Sequence, residues 1–188
     1  MAPRLVSDEH VLAGLSGLFR QRGYAGASMN DIASATGLQK SSLYHRFPGG
    51  KQQMAAEVAS TLGTDFASSV LAPLDDDAPL VERVRAVGRN LAAFYGDGRV
   101  PCLLDALSFG EPGAAAGDGL RASANGWIEA LAAASREAGR PVDQALALAQ
   151  DAIAAIEGGL VLARVTGDTA TFLRAVHRLP AALGIQET

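Results

Sequence analysis

The sequence is short of cysteine and of aromatic residues, and both shortages narrow the class of protein. Its single cysteine, Cys102, excludes a disulfide within the chain. Phe, Trp and Tyr together make up 5% of the residues, whereas Ala, Leu and Gly are abundant. Because aromatic and β-branched residues are the strongest strand formers, this composition predicts close-packed helices rather than sheets.

The sequence also lacks an unbroken hydrophobic run that could cross a bilayer. A spanning helix needs about 18 apolar residues, and the most apolar segment, 152–163, is shorter and contains Glu157. Residues 11–19 alternate apolar with small and polar side chains, unlike the apolar core of a signal peptide. We therefore expect a soluble, cytoplasmic protein of bacterial type.

The two signs of charge are unevenly distributed along the 188 residues. The net charge is −4 at pH 7, but residues 1–51 hold six Lys or Arg against three acids, while the remainder holds ten against seventeen. A basic segment attached to an acidic body is expected where only one end of a protein meets phosphate groups.

Apolar residues recur at helical spacing through most of the chain, so the sequence predicts an all-α fold. A stripe over 11–19 ends at Gly23, and two short helices follow over 28–37 and 39–47. A long helix over 51–71 comes next, with apolar residues four apart. These are Met54, Val58, Leu62, Phe66 and Val70.

The rest of the chain predicts a larger helical domain. A helix begins near Pro79, and a short apolar helix over 102–109 precedes a glycine-rich loop over 110–119. Three more helices are expected over about 120–138, 142–165 and 169–183. We therefore expect about nine helices in two domains: a three-helix head over 1–50, joined through the helix over 51–71, and a ligand-binding and dimerisation domain over 51–188.

Residues 28–47 have the spacing of a helix-turn-helix. Ala33 is small where the two helices would cross, Gly37 supplies a turn that tolerates positive φ, and Leu43 packs the second helix onto the first. Ser28 and Asp31 predict a capping box at the start of the first of these helices. An ordinary helical hairpin would share this spacing, so the spacing alone leaves that alternative open.

The outer face of the second short helix favours nucleic acid. It combines one apolar side chain, Leu43, with a run of hydrogen-bond donors and no acid. The donors are Gln39, Lys40, Ser41, Ser42, Tyr44, His45 and Arg46. Such donors bind phosphate oxygens and base edges, whereas a purely structural helix of this length would usually carry some acid. We therefore interpret residues 28–47 as a DNA-binding element.

The beginning of the chain resembles the TetR/AcrR family of transcriptional regulators. The resemblance rests on Gly23-Tyr24, on Ser28 to Ala33, on Gly37-Leu38, on Leu43 to Phe47 and on Lys51. The turn from Phe47 to Lys51 is longer than in the commonest form of the family and resembles the LmrA/YxaF-like subgroup, as does the segment Cys102 to Leu104.

The resemblance implies a regulator that binds double-stranded operator DNA as a homodimer and responds to a small molecule. Three residues, carried over by position, would contact phosphates: Ser28, Tyr44 and Lys51. Others would face the major groove: Lys40, Ser41, Ser42 and His45, with Gln39 at its rim. Repression that a small, largely apolar ligand releases is the function expected of such a protein. Activation without ligand-controlled repression stays open as an alternative.

Two other classes of function fit the sequence less well. His10, His45 and His177 lie far apart without a metal-ligand partner at helical spacing, and Cys102 lies in an apolar run typical of a buried thiol. We therefore expect no enzyme, no metal and no cofactor. A helical interaction module without DNA binding is the better rival, but it would have no use for an acid-free polar helix.

Two apolar stripes near the end of the chain predict the dimer interface. The first is Leu146, Ala149, Ile153, Ile156, Leu160 and Ala163, beside Gly158 and Gly159. The second is Phe172, Val176, Leu179 and Leu183. Buried core helices would give the same pattern. We expect a dimer because two heads on a twofold axis match half-sites one helical turn, about 34–36 Å, apart.

An effector site is expected in the larger domain. The candidate residues are Asn90, Phe94, Leu103, Leu107 and Trp127, with Tyr95 and Phe109 nearby. The loop over 110–119 would act as a flexible entrance. The alternative is that these side chains only fill the core.

Overall fold

The computed structural model describes residues 6–186. Over this range the chain forms ten α-helices and no strand, as the helical spacing predicts. They are α1 (Asp8–Gly26), α2 (Met29–Thr36), α3 (Lys40–Arg46), α4 (Gly50–Phe66), α5 (Leu80–Phe94), α6 (Leu103–Ser108), α7 (Ala114–Glu137), α8 (Val142–Thr166), α9 (Ala170–His177) and α10 (Leu179–Ala182). A π-helical turn over Ala67–Leu71 continues α4, and 3₁₀ turns follow over Ala72–Asp75 and, after α5, over Gly96–Gly98.

The chain divides into two compact units. The first contains the residues up to Leu62 together with Leu103–Ala122, and its core joins α1, α2, α3, the first part of α4 and α6. Helices α1 and α2 cross at Gly14, where a Cβ would lie 2.4 Å from the carbonyl oxygen of Ala35. No side chain larger than hydrogen fits this crossing, so the glycine sets how closely the two helices approach.

The first unit takes in residues that the sequence assigns to the larger domain. Leu103 and Leu107 of α6, and Ala116 and Leu120 of α7, are buried in the same cluster as the apolar residues of α1 and α4. The boundary therefore differs from the predicted division at residue 50. These contacts join segments far apart in sequence, which periodicity along the chain does not reveal.

The predicted loop over 110–119 is largely wrong. Helix α7 begins at Ala114, and its Gly119 lies where a Cβ would be 3.1 Å from Ala59 of α4. The glycine content of this segment predicts a loop. Gly119 instead allows two helices to approach closely, and only Gly110 and Gly113 have the positive φ that a turn uses.

The second unit contains Gly63–Cys102 and the residues from Ser123 onward. Helix α9 packs on α8 at Gly159, where a Cβ would lie 2.7 Å from the Cα of Phe172. It also packs on α5 at Gly88, where a Cβ would lie 2.5 Å from the carbonyl oxygen of Val176. Glycine at both crossings brings three helix backbones close together around a shared core.

The two stripes predicted as a dimer interface lie mainly inside this unit. Ile156 and Phe172 are fully buried, and the other buried members are Ala149, Leu160, Ala163, Val176, Leu179 and Leu183. These buried side chains form the core of the unit, so the prediction that they form the interface is wrong, whereas Leu146 of the first stripe is exposed. Helix α8 exposes four further apolar side chains, and the exposed fractions of the five range from 39% to 75%: Val142, Leu146, Val161, Leu162 and Val165.

Helix α8 is also the one helix within residues 6–186 that is long and apolar enough to cross a membrane. The helix meets this criterion by its length and composition only, and 33% of its most apolar stretch is buried inside the protein. A helix that is apolar on most sides is equally typical of a protein core. The burial of Ala149, Ile156 and Leu160 accounts for one part of this apolar character, and the exposed valines and leucines make up the other part.

Candidate nucleic-acid interface

The predicted capping box opens α2. The Ser28 hydroxyl accepts a hydrogen bond from the Asp31 N–H at 3.2 Å and donates one to the Asp31 carboxylate at 2.6 Å, while the Ser28 N–H donates to the same carboxylate at 3.1 Å. Arg22 pairs with Asp31 at 2.9 Å. The hydrogen bonds from the Ser28 side chain and backbone, followed by the Arg22 charge, lower the pKa of Asp31. The cap fixes Ser28, which is exposed, at the start of the helix.

The turn between α2 and α3 has the predicted form. Gly37 ends α2 in the left-handed conformation, with φ of 69°. The buried Thr36 hydroxyl donates to the carbonyl oxygen of Ile32 at 2.8 Å and accepts from the Leu38 N–H at 3.4 Å. Since the left-handed backbone favours glycine, Gly37 sets the direction in which α3 leaves the turn.

Helix α3 is anchored on its inner side and at its end. Leu43 and Phe47 are fully buried in the core of the first unit. Arg46 forms an ion pair with Asp8 of α1 at 2.6 Å, and its guanidinium lies 5.4 Å from the centre of the Phe47 ring. The seven-residue helix is therefore held by one apolar residue inside it and by contacts at its C-terminal end.

The outer residues of α3 and its N-cap are exposed as predicted. The exposed fraction of Tyr44 is 53%. The other exposed members of the set are Gln39, Lys40, Ser41, Ser42 and His45. All can donate hydrogen bonds, and α3 contains no acid. The structure brings them together on a short helix whose buried contacts leave their side chains accessible to a ligand.

Lys51, in contrast, is engaged within the first unit. Its ammonium donates to the carbonyl oxygens of Tyr24 at 2.8 Å and of Ala27 at 3.0 Å, and it lies 4.4 Å from the centre of the Tyr24 ring. The resemblance implies a phosphate contact for Lys51, and this role stays a prediction. These internal hydrogen bonds were not foreseen, because they join residues more than twenty positions apart.

The candidate ligand residues fall into two groups. Leu103 and Leu107 are buried in the core of the first unit, whereas Asn90, Phe94 and Trp127 belong to the second. In the second unit the Phe66 ring lies 4.8 Å from Trp127 and 5.5 Å from Phe94, measured between ring centres. The Asn90 amide donates to the carbonyl oxygen of Val70, in the π-helical turn, at 3.4 Å.

The indole N–H of Trp127 is the polar feature of this aromatic cluster. The atom is buried and donates to no atom of the described residues. The sequence predicts Trp127 as a ligand residue but Phe66 as a core side chain, because Phe66 belongs to a regular four-residue stripe. Two clefts in the second unit, of about 440 and 520 Å³, are lined by other residues.

No group of three or more His, Cys, Asp or Glu side chains in the described part of the chain is arranged to hold a metal ion. Cys102 is buried and accepts a hydrogen bond from the Tyr95 hydroxyl at 3.5 Å. This environment is typical of a structural thiol.

Two family models match the sequence. Residues 11–58 match the model described as bacterial regulatory proteins of the TetR family, and residues 100–178 match the C-terminal domain of LmrA/YxaF-like transcriptional regulators. The first match covers the helix-turn-helix and the start of α4. The second covers α6 to α9.

Relatives of similar sequence are described as helix-turn-helix-type transcriptional regulators. The chain is 30% identical to the regulator YxaF of Bacillus subtilis strain 168 over 95 residues, and 41% identical to LmrA of that strain over 56 residues. These matches span 50% and 30%, respectively, of each protein's own length and of this chain. The match to the regulator Rv0196 of Mycobacterium tuberculosis has 29% identity and covers 90% of both chains.

Solved structures share the fold. A TetR regulator from Legionella pneumophila aligns with a TM-score of 0.84 and 24% identity, covering 99% of this chain and all of the other. The regulator CifR, as a cysteine mutant complexed with 26-bp operator DNA, aligns with a TM-score of 0.74 and 23% identity, covering 98% of this chain and all of its own.

Proposed function

The chain belongs to the TetR family of transcriptional regulators, in the LmrA/YxaF-like subgroup, and from this premise we propose that it is a cytoplasmic, homodimeric repressor that a small ligand releases from operator DNA. The single observation that supports DNA binding is the chemistry of the exposed side of α3. It exposes six hydrogen-bond donors, counting its N-cap, and no acid, while its inner side is anchored by Leu43.

The donors on α3 divide by the contact that we propose for each. Tyr44 and Ser28 bind phosphate oxygens, which fixes the position of the protein on the duplex. Lys40, Ser41, Ser42 and His45 bind base edges in the major groove, with Gln39 at its rim. In support, CifR is a fold relative solved on double-stranded operator DNA.

We propose that dimers form through the exposed side of α8. Val161, Leu162 and Val165 are exposed and apolar, and Gly158 beside them has no atom within 4 Å of an added Cβ. A second copy of the chain covers this face, because a dimer gives the two α3 helices that a two-half-site operator requires. The apolar side chains then leave water on association.

For the effector, we propose a site in the second unit beside Trp127. A buried N–H without a partner costs about 1–3 kcal/mol, and a bound molecule with an acceptor oxygen or nitrogen would remove that cost. The rings of Phe66 and Phe94 supply apolar contact nearby. The ligand is therefore small and largely apolar, with at least one hydrogen-bond acceptor. Asn90 is a second polar group for orienting it.

The DNA-binding part is tested by selection from a pool of random duplexes with the full chain. We expect a selected duplex to bind tightly, with log affinity falling linearly as log salt rises. Lys40→Ala is expected to change which bases are preferred at one position. Tyr44→Phe is expected to weaken all duplexes alike, by about 1 kcal/mol. A wild-type chain that selects nothing would leave a helical interaction module as the better interpretation.

The ligand part has a separate test, because Trp127 is the only Trp in the chain. Small apolar compounds are screened for release of the selected duplex and for a change in indole fluorescence. Ala133→Trp, at an exposed position of α7 away from the proposed dimer face, supplies a second reporter as the control. A compound that releases DNA without perturbing Trp127 fluorescence would count against this site. Activation instead of repression would appear as increased transcription from a promoter that carries the selected duplex.

A further inference from the structure

Lys51 lies at the start of α4, and its ammonium contacts the segment between α1 and α2. We propose that Lys51 is a positioning residue for DNA binding: its ammonium fixes the corner between α1 and α2, and through it Ser28, instead of contacting a phosphate. The proposal rests on the proposed DNA-binding function.

The ammonium is surrounded by groups of its own unit. It has three N–H donors, and the carbonyl oxygens of Tyr24 and Ala27 accept from it at 2.8 and 3.0 Å. The face of the Tyr24 ring approaches within 4.4 Å of the nitrogen. Two of the three donors and the ring contact hold the charge at this corner, so a phosphate contact made by moving the ammonium away from the corner would break them.

The last turn of α1 is a short segment set off by a break in the helix. Gly23 has non-helical dihedrals, with φ of 67° and ψ of 175°, so Tyr24 lies after the break and Ala27 is the C-cap. The last carbonyl groups of a helical turn have no partner within it and carry partial negative charge. The turn after the break contains no basic residue, and Lys51 supplies hydrogen bonds and a positive charge to two of its carbonyl groups.

The same contact reaches the DNA-binding surface through the backbone. Ala27, which is buried, directly precedes Ser28. The Lys51 ammonium holds the carbonyl group before Ser28, and the capping hydrogen bonds with Asp31 hold the residue itself. Ser28 is thus fixed from both sides, so loss of the ammonium shifts the start of α2 without removing any group that contacts DNA.

Lys51→Met tests the proposal in the full chain, because methionine keeps an apolar stem but has no ammonium. The probe is the duplex that the wild-type chain selects from a random pool. We expect the affinity to fall about tenfold, the slope of log affinity against log salt to stay at the wild-type value, and the melting temperature to fall. Lys40→Met removes an equal charge from the exposed side of α3, where we propose a base contact, and is expected to change the preferred base at one position, which Lys51→Met should not do.

A double substitution gives a readout that general destabilisation would not move. If Lys51 acts through Ser28, the losses of affinity in Lys51→Met and Ser28→Ala are expected to be less than additive in the double variant. Additive losses, or a slope lowered by about 0.9, the amount for one released counterion, with an unchanged melting temperature, would overturn the proposal in favour of a direct phosphate contact.

Lys51→Arg keeps the test decisive if Lys51→Met does not fold. Arginine binds phosphate at least as well as lysine, but its planar fork does not reproduce the compact ammonium between two carbonyls and a ring. We expect Lys51→Arg to lose affinity, whereas wild-type affinity would contradict the positioning role. A wild-type chain that selects no duplex instead refutes the proposed function, and the melting temperatures still report on the corner.

Discussion

The exposed side of α3 and the exposed side of α8 have opposite chemistry, although each helix is held by an apolar inner side. Helix α3 exposes hydroxyl, amide, imidazole and ammonium groups around its buried Leu43. Helix α8 buries Ile156 and Leu160 but exposes Val161, Leu162 and Val165. The outer face of α3 therefore suits charged and polar partners, whereas the outer face of α8 suits another apolar surface.

In both helices the inner residues fix the helix in the fold, and the outer residues decide what it can bind. In α3 the two sets are easy to distinguish in the sequence, because one leucine lies among donors. In α8 both sets are apolar, so the sequence does not show which of them is inside. Two adjacent glycines lie on the two sides of α8. Gly159 faces inward and contacts α9, whereas a Cβ added to Gly158 would have no atom within 4 Å.

The largest expected effect separates the inner and outer faces of α8. Ile156→Asp places a carboxylate at a fully buried position, and we expect it to cost more than about 3 kcal/mol of unfolding free energy. Val165→Asp changes a side chain that is 75% exposed. It should leave the fold intact but convert a dimer to monomers. Circular dichroism during heating and sedimentation velocity measure the two outcomes.

The opposite result would break the comparison. If Ile156→Asp folded and only dissociated, the buried stripe would be the interface, as the sequence alone predicts. A Val165→Asp variant that remained dimeric at micromolar concentration would show that the dimer forms elsewhere.

A smaller effect is expected at the glycine pair. Gly159→Ala forces a methyl group to within 2.7 Å of the Phe172 Cα, so we expect a loss of about 1–3 kcal/mol from overpacking. Gly158→Ala has space on the outer face and should stabilise the isolated chain by up to about 1 kcal/mol through helix propensity. Urea unfolding of both variants measures the difference. Equal effects at the two positions would contradict the orientation of α8.

Local patterns account for what was predictable from the sequence. The capping box of Ser28 and Asp31, the left-handed Gly37 and the buried Leu43 all follow from residues close together in the chain, and the structure has each of them. The helical stripe over 51–71 is also confirmed, since its five apolar residues are buried. The donors of α3 are predictable because their polarity, and the absence of acids among them, are features of the sequence itself.

Contacts between distant segments were not predictable in the same way. Leu103 and Leu107 could pack with α1 or in the larger domain. The choice depends on which helix α6 contacts in the fold, and the spacing of apolar residues along the sequence does not show this. The sequence around Gly119 predicts a loop, but in the structure this glycine allows α7 to approach Ala59 of α4 closely. The ammonium of Lys51 finds the carbonyl of Tyr24 only after α1 and α4 have packed.

The smallest expected effect uses acid to distinguish the two surfaces. Hydrogen bonds from Ser28, followed by the charge of Arg22, hold the pKa of Asp31 below its ordinary value of 3.8. Because the pKa is lower in the folded than in the unfolded chain, the carboxylate stabilises the folded state above pH 3.8. This contribution disappears as the pH falls from there through the lower, folded value. Asp31→Asn should therefore have a lower melting temperature than the wild type at pH 7, and the difference between the two melting temperatures should disappear below the folded pKa.

Asp118→Asn, on the exposed surface of α7, controls for net charge. The apolar contacts that we propose for α8 contain no such group, so Val161→Ala should change the melting temperature equally at both pH values. A gap for Asp31→Asn that persisted below the folded pKa would mean that the capping network stabilises α2 without its charge, and the contrast between the two surfaces would then be one of shape more than of electrostatics.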